Sequence, residues 1–258
     1  MNSEKYNATK FKKLITDSLS SGGIILNYQP ILNNKTGELG LFEGLIRMKD
    51  KDKLYGPDDF LEEARKSGIY EKLTERVVDI AVESIKKYNI KLSINLEYSD
   101  IANDKTMNNL YKSLKENSEI TKKLTLEITE TEKMSDYKKV ADFIEHVQSL
   151  GVKVYIDDFG TGYSNFEAIA KLNLDGIKID GSIVRNVNKD KRNYITLKYI
   201  MNLAKEFKAE TVAEFVEDRD ILITLNTMGI DYSQGYYISK PVSEEEIHKW
   251  KGNLNERR

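Results

Sequence analysis

Two adjacent acids, Asp157 and Asp158, end an apolar run that starts at Val152 and predicts a buried strand. A loop containing Gly160 and Gly162 follows directly. Two carboxylates at the end of a buried strand are costly unless metal ions or other cations neutralise them. Because Asp and Gly are also ordinary turn residues, an isolated pair of this kind favours a solvated turn. The choice therefore depends on whether acids also stand at other strand ends.

Several other predicted strands carry a polar residue near their carboxyl ends. In the run 124–128 the leucines and the isoleucine share one face, whereas Thr125 and Glu127 share the opposite face. Asn95 likewise lies opposite the apolar face of its strand. One such residue alone is usually a rim residue in contact with water, but six on successive strands favour a shared site. The set is Glu43, Asn95, Glu127, Asp157, Lys178 and Glu214.

The residue types in this set predict the metal. Carboxylates and a carboxamide are hard oxygen ligands, which suit Mg²⁺ or Mn²⁺. The chain has no cysteine, and its two histidines, His146 and His248, fall in predicted helices, so zinc is not expected. Five acids, counting Asp158, exceed what one hard ion needs, whereas two ions about 3.5–4 Å apart, as in many phosphoester hydrolases, would use them. Lys178 is suited to orient a water or to stabilise phosphate charge, and Arg47 is suited to meet a phosphate.

The elements that must position these residues alternate between short strands and amphipathic helices. Strands are predicted at 24–32, 38–48, 91–96, 123–128, 152–157, 176–180, 210–214 and 232–237. Helices are predicted at 1–20, 57–66, 71–88, 134–150, 190–207 and 218–228. The first two strands are joined by a turn too short for a helix and should pair antiparallel, whereas the later alternation requires parallel pairing. The pattern predicts an α/β fold, a modified TIM-type (β/α)8 barrel with an antiparallel first strand.

Composition and charge limit the kinds of partner that the protein surface can attract. The 258 residues are 40% hydrophobic and 32% charged with a net charge of −2, so the surface offers no general attraction for a nucleic-acid polymer or an anionic membrane. No apolar run approaches the roughly 20 residues that span a bilayer, and the N-terminal stretch lacks the apolar core of a signal peptide. We therefore expect a cytoplasmic protein without membrane insertion. We expect a lead helix or extension over residues 1–22, a barrel over 23–252 and a tail over 253–258.

A set of motifs in this order resembles the EAL-domain family, the bacterial cyclic di-GMP phosphodiesterases, over residues 24–250. The matching segments are 28–30 (YQP), 43–47 (EGLIR), 93–96 (SINL), 126–130 (LEITE), 157–164 (DDFGTGYS), 177–180 (IKID), 213–217 (AEFVE) and 234–237 (QGYY). The resemblance implies hydrolysis of cyclic di-GMP to linear 5′-pGpG with two Mg²⁺ or Mn²⁺ ions. It also implies a homodimer formed near the loop 159–165, and a sensor domain or regulatory partner outside this chain.

The resemblance also assigns roles residue by residue. Glu43, the signature glutamate, would be a ligand of the first ion together with Asn95, Glu127 and Asp157, and Asp158 would bind the second ion. Lys178 would hold the catalytic water, and Glu214 would act beside it as a general base or a ligand. Glu130 would anchor the loop after Asp158. The substrate-binding residues would be Gln29, Arg47, Asp180 and Gln234. Of these, Asp180 would support the residues that touch the substrate instead of touching it directly.

The sequence departs from the family pattern at Gly44, where the signature has alanine, and at Phe215, where the family usually has glycine. The first change exchanges one small residue for another. Strand alternation would place Phe215 opposite Glu214, packed outward against a helix, whereas a ring inside the site would shift Glu214 or crowd the substrate. Two alternatives stay open: a non-catalytic EAL receptor that binds the nucleotide and signals to a protein partner, and another Mg²⁺ barrel enzyme that uses Lys178 as a base on a carboxylate substrate.

Overall fold

The computed structural model describes residues 2–129, 136–160 and 171–250. Eight of its strands close into a mixed barrel surrounded by helices. In chain order the barrel strands are β1 (Ile24–Asn33), β2 (Leu39–Asp50), β4 (Leu92–Leu96), β5 (Leu124–Thr129), β6 (Lys153–Phe159), β7 (Gly176–Ile179), β8 (Glu210–Ala213) and β9 (Tyr232–Ser233). A short strand, β3 (Lys53–Tyr55), pairs antiparallel with the end of β2.

The first strand is the irregular one. β1 runs antiparallel to both of its neighbours, β2 and β9, and all the other barrel neighbours pair parallel. The turn between β1 and β2 is too short to hold a crossover helix, which forces this antiparallel pair. The modified TIM-type barrel with an antiparallel first strand is therefore confirmed.

The helices are α1 (Asn2–Ser21), α2 (Pro57–Lys66), α3 (Tyr70–Tyr88), α4 (Tyr98–Ala102), α5 (Asp104–Glu116), α6 (Tyr137–Ser149), α7 (Gly181–Val184), α8 (Lys191–Phe207) and α9 (Arg219–Met228). Two 3₁₀ segments lie at Thr121–Lys123 and Glu244–Trp250. The six predicted helices are confirmed, α6 from Tyr137 onward. Helices α4 and α5 were not predicted, although Met107, Leu110 and Leu114 are buried at helical spacing. Among the described residues, no helix has the length and apolar composition needed to span a bilayer.

The last strand is shorter than predicted. Its pairing ends at Ser233 instead of continuing to residue 237. Beyond that point the chain approaches the segment after β8 so closely that a Cβ on Gly235 would lie 2.2 Å from the Val216 nitrogen. This contact replaces further ladder pairing, because Val216 donates its N–H to the carbonyl of Gln234.

Because side chains alternate between the two faces of each strand, the barrel wall has one apolar core outside it and a smaller one inside it. The outward face of β5, with Leu124, Leu126 and Ile128, packs against the helices in the main core. Inside the barrel, a smaller apolar cluster of Ile31, Leu41, Tyr155 and Val212 fills the amino-terminal end. A Cβ on Gly176 would come within 2.5 Å of the Tyr155 ring, so glycine makes room for that ring. The carboxyl-terminal half of the interior is left to polar side chains.

Candidate active site

Lys178 lies at the centre of a buried group of acids inside the barrel. Its side chain is fully buried, and its Nζ lies 2.8 Å from Glu127 Oε2, 2.9 Å from Asp157 Oδ1, 3.0 Å from Glu214 Oε1 and 3.7 Å from Glu43 Oε1. All four carboxylates are themselves buried. One ammonium does not balance four carboxylates, so the cluster carries an excess of negative charge that favours cations or protons.

The electrostatics of the cluster follow from burial and from this charge excess. Burial raises the pKa of Glu127 to about 8 and also raises the pKa of Glu214, in both cases against the opposing charge of Lys178. Burial acts in the same direction on Glu43, but the Lys178 charge and hydrogen bonds from Gln234 and Asn95 outweigh it and lower the pKa. Burial acts to lower the pKa of Lys178, but the surrounding carboxylates raise it instead. Near neutral pH the lysine is therefore charged, while protons remain on some of the acids.

A β-bulge brings Asp157 and Asp158 to the same site. Between β6 and β7, Ile156 pairs with Ile177 and Phe159 pairs with Ile179, so β6 carries one extra residue. Asp158 has a φ of 55°, in the left-handed region that Asp tolerates better than most residues. Adjacent strand residues normally point to opposite faces, and the bulge removes that alternation. The two carboxylates can then serve one site from consecutive positions.

The acids form two overlapping trios. Single oxygens of Glu43, Glu127 and Asp157 lie within 4.8 Å of one another, and so do single oxygens of Asp157, Asp158 and Glu214. Glu127 Oε1 has no hydrogen-bond donor among the described residues, and Glu127 Oε2 meets the Lys178 ammonium at 2.8 Å. Buried carboxylate oxygens without donors are suited to coordinate a cation. The donor set fits two hard divalent ions that share Asp157.

Three amides extend the site around Glu43. Asn95 Nδ2 donates to Glu43 Oε1 at 2.8 Å, and Gln234 Nε2 donates to Glu43 Oε2 at 2.6 Å. Gln234 Nε2 also lies 3.1 Å from the side-chain oxygen of Gln29, which faces Glu43 across the β1–β2 ladder. Asn95 pairs with Glu127 in the β4–β5 register. The sequence-predicted residues of this cluster thus come from all eight barrel strands or from the segments that directly follow them.

The order and spacing of these residues recur in a known family. The family model described as the EAL domain matches residues 13–241, which is most of the chain. This chain belongs to the EAL domain family. The predicted family is therefore confirmed, and the signature position that names it is Glu43 at the bottom of the site.

Similar proteins include curated relatives and solved structures. The chain is 32% identical over 235 residues to the cyclic di-GMP phosphodiesterase PdeF of Escherichia coli, covering 88% of this chain and 31% of that protein. It is 30% identical to an EAL domain protein of Listeria monocytogenes with a TM-score of 0.85, covering 92% of this chain and 96% of that one. It is 25% identical to the PaMucR phosphodiesterase in its c-di-GMP complex with a TM-score of 0.84, covering 92% and 99%. The chain spans about a third of the length of the first curated relatives that it matches.

The acids of this EAL domain open into a cavity of about 420 Å³. Its walls include Gln29, Glu43, Arg47, Asp158 and Glu214. The half-buried Arg47 guanidinium donates to the carbonyl of Ile46 at 2.8 Å and borders the cavity with its remaining surface. The cavity therefore places a cationic group and several amides beside the carboxylates, as a ligand with phosphate groups requires.

Phe215 does not lie where strand alternation predicted. β8 ends at Ala213, and Phe215 has a φ of 53°. The left-handed backbone turns its side chain to the barrel mouth, where it borders the cavity and is 45% exposed. The ring does lie against helix α7, at Gly181, but the expectation that it packs outward and away from the site is wrong. The same φ gives a physical reason for glycine at this position in the family, since glycine adopts positive φ without strain.

One predicted site residue, Asp180, stands apart from the cluster. Asp180 caps helix α7, where its carboxylate accepts the N–H of Ser182 at 2.8 Å. Burial first, then the charges of Asp157 and Asp180, raises the pKa of Asp158, so Asp180 acts on the site electrostatically. A supporting role of Asp180 in substrate binding stays a prediction. Glu130 and most of the loop 159–165 lie outside the described residues, and so does the predicted loop anchor.

Several cavity residues were missed by the sequence analysis. Arg185, Glu217, Tyr236 and Pro241 all border the cavity. Arg185 and Glu217 form an ion pair with Nε and Oε1 3.0 Å apart. Arg185 stands at the end of the short helix that follows the strand of Lys178, and such a position after a barrel strand could have indicated it. Its neighbours come from distant parts of the chain, which no local pattern reveals.

Proposed function

We propose that this EAL domain hydrolyses cyclic di-GMP to linear 5′-pGpG with Mg²⁺ or Mn²⁺. The observation that carries the proposal is the pair of carboxylate trios that share Asp157 at the carboxyl ends of the barrel strands. Relatives that are named cyclic di-GMP phosphodiesterases, together with the solved complex of the PaMucR phosphodiesterase with c-di-GMP, support the choice of substrate.

The proposed ligand set follows the two trios. Glu43, Asn95, Glu127 and Asp157 would hold one ion, and Asp157, Asp158 and Glu214 would hold the other. When bound, such ions stabilise charge on the phosphate oxygens and lower the pKa of a coordinated water. Bound cations would also meet Glu127 Oε1, which lacks a donor among the described residues, and would offset the excess of buried negative charge.

The chain's own side chains position the reactants. Arg47 meets a phosphate oxygen, and Gln29 and Gln234 orient the ligand above Glu43. Lys178, with its Nζ 3.0 Å from Glu214 Oε1, holds the attacking water beside the carboxylate that accepts its proton. Bound ions would favour the ionised form of Glu214, which is the form that accepts a proton. Water oxygen bonds to phosphorus, the bond from phosphorus to the ribose 3′ oxygen breaks, and that oxygen takes a proton.

A hydrolysis assay with purified protein and cyclic di-GMP tests this proposal. We expect pGpG to form with Mg²⁺ or Mn²⁺, no product after chelation, and little product with Ca²⁺, whose longer and looser coordination suits two-ion catalysis poorly. Full activity after exhaustive chelation would exclude the metal-dependent mechanism. Tight binding of cyclic di-GMP without turnover under any of these cations would instead favour a receptor.

The proposal also includes the cellular location and the oligomeric state of the protein. We infer that the protein works in the cytoplasm and that it acts as a homodimer. Sedimentation of the protein at several concentrations, with and without Mg²⁺, tests the dimer. A single species with the mass of one chain throughout would exclude it.

A further inference from the structure

Phe215 is an aromatic residue held in a backbone conformation that few side chains adopt. It follows Glu214 directly, at a φ of 53°, and nearly half of its surface is exposed. A bulky residue in the left-handed region is strained, and such strain concentrates at functional sites. The exposed, strained ring beside the candidate catalytic carboxylate is therefore a candidate functional group.

The ring is held on two sides by its neighbours. Gly181 lies so close beneath it that a Cβ there would come within 2.5 Å of a ring carbon. The guanidinium of Arg185 lies 4.2 Å from the ring centroid, and Glu217 fixes that guanidinium through an ion pair. Part of the remaining ring surface borders the cavity that also contains Glu43, Arg47 and Asp158. The ring is thus a supported flat surface at the mouth of the site.

We propose that Phe215 stacks on a nucleobase of the bound cyclic dinucleotide and so sets the affinity for base-bearing substrates. This inference rests on the proposed function. Bases stack on aromatic side chains because both present flat π-surfaces, and a nearby arginine strengthens such a contact. The phosphates would lie at the carboxylates and Arg47, and one base would then extend towards the mouth where the ring stands. The alternative is that the ring obstructs the cavity.

Four variants separate stacking from obstruction. Phe215→Leu removes the aromatic surface but keeps an apolar side chain of similar bulk, Phe215→Trp keeps an aromatic surface, and Phe215→Gly removes the side chain. Tyr199→Leu is the matched control, since Tyr199 is an exposed aromatic on the outer helix α8, away from the cavity. For each protein, kcat and KM are measured with cyclic di-GMP and Mg²⁺, and folding is checked by thermal unfolding.

Stacking predicts a KM effect that follows aromaticity. Phe215→Leu and Phe215→Gly should raise KM by about 5- to 100-fold with kcat within about 3-fold, as loss of a base–aromatic contact implies. Phe215→Trp and Tyr199→Leu should keep the wild-type KM. In Phe215→Trp with Ca²⁺, cyclic di-GMP should quench the new indole fluorescence, whereas the buried Trp250 should respond little.

Other outcomes overturn the inference in distinguishable ways. Wild-type turnover with an unchanged KM in Phe215→Leu would exclude stacking and leave the proposed function intact. A lower KM in Phe215→Gly would show that the ring obstructs the site. Absence of both binding and turnover of cyclic di-GMP in the wild-type protein would overturn the proposed function itself, and the stacking role with it.

Discussion

Lys178 supplies the fixed positive charge around which four buried acids are arranged. Its Nζ lies within 3.0 Å of oxygens from Glu127, Asp157 and Glu214. Removing one carboxylate from a group with an excess of negative charge relieves repulsion, whereas removing the lysine would leave every acid without its counter-charge. The acids are therefore easier to replace without unfolding the protein than the lysine is.

This asymmetry leads to a prediction for Glu214. Glu214→Gln keeps the size of the side chain but removes its charge and its ability to accept a proton. Turnover of cyclic di-GMP should fall by about 10²–10⁴-fold, the usual cost of losing a general base. The unfolding midpoint should stay close to that of the wild-type protein. Glu206→Gln, on the exposed surface of α8, is the control and should keep full activity. Near-normal turnover in Glu214→Gln would refute the assigned role.

A second prediction at the residue scale concerns the stability contributed by Phe215. Phe215→Gly should release left-handed strain of about 1–2 kcal/mol and lose a half-exposed ring contact with Arg185 worth about 0.5–1 kcal/mol. Glycine is also more flexible in the unfolded chain, which costs about 0.5–1 kcal/mol. The free energy of unfolding should therefore change by no more than about 1 kcal/mol.

The comparison variant for this measurement is Phe60→Ala in α2. The Phe60 ring is fully buried, so its removal should cost about 3–5 kcal/mol. Urea unfolding of both variants gives the two values. A loss of that larger size in Phe215→Gly would mean that the ring packs as a core residue.

At the scale of elements, the end of β6 decides where two of the acids point. The bulge after Ile156, the left-handed Asp158 and the glycine turn at Gly160 together aim consecutive carboxylates at the site. Gly160 has a φ of 108°, and a Cβ there would lie 2.2 Å from Ile183 Cδ1 on helix α7. The backbone conformation favours glycine, and a side chain there would also displace the end of the Ile183 side chain.

Gly160→Ala should therefore disturb the strand end. We expect a loss of more than about 1 kcal/mol of unfolding free energy and a higher Mg²⁺ concentration for half-maximal activity, because Asp158 moves with its strand. The double variant Gly160→Ala/Ile183→Ala removes the steric overlap but not the strained φ. In the double variant, the Mg²⁺ concentration for half-maximal activity should lie between the values of Gly160→Ala and of Ile183→Ala. An unchanged Mg²⁺ titration in Gly160→Ala would show that the turn does not position the ligands.

At the scale of the whole molecule, barrel closure confines the negative charge and couples it to pH. The apolar cluster around Tyr155 fills the amino-terminal end of the interior, so the buried acids collect at the other end. Burial there raises the pKa of Glu127 to about 8. For a carboxyl group with a raised folded-state pKa, the contribution to stability is fully present below its ordinary pKa. That contribution is lost as pH rises through the folded-state value.

The cation-free protein should accordingly lose stability between pH 6 and pH 8, and saturating Mn²⁺ should restore it. Because ligands must shed their protons, Mn²⁺ affinity should rise over the same pH range with release of protons. Unfolding midpoints and titration calorimetry in two buffers of different ionisation enthalpy measure these effects. In Glu127→Gln the pH dependence of the cation-free protein should be smaller. An identical pH profile in this variant would assign the effect to other groups.

The sequence by itself was enough to predict the order of the strands along the chain, the faces of Asn95 and Glu127, and a preference for hard cations. Strand alternation places Glu127 opposite Leu126 and Ile128 whatever the surrounding fold, because side chains alternate along any strand. The six residues at strand ends could then be grouped once parallel pairing aligned those ends. The family resemblance added roles that no spacing rule supplies.

Only the tertiary structure decided features that depend on contacts between distant segments. The bulge that aims Asp158, the central place of Lys178 among four acids and the pairing of Arg185 with Phe215 all join residues from different strands and loops. Strand alternation failed at Phe215 because β8 ends two residues earlier and the backbone there takes a positive φ. Periodicity describes a regular element, but some candidate site residues, Asp158 and Glu214 among them, stand where their strands end or become irregular, and there neighbouring segments determine the direction of each side chain.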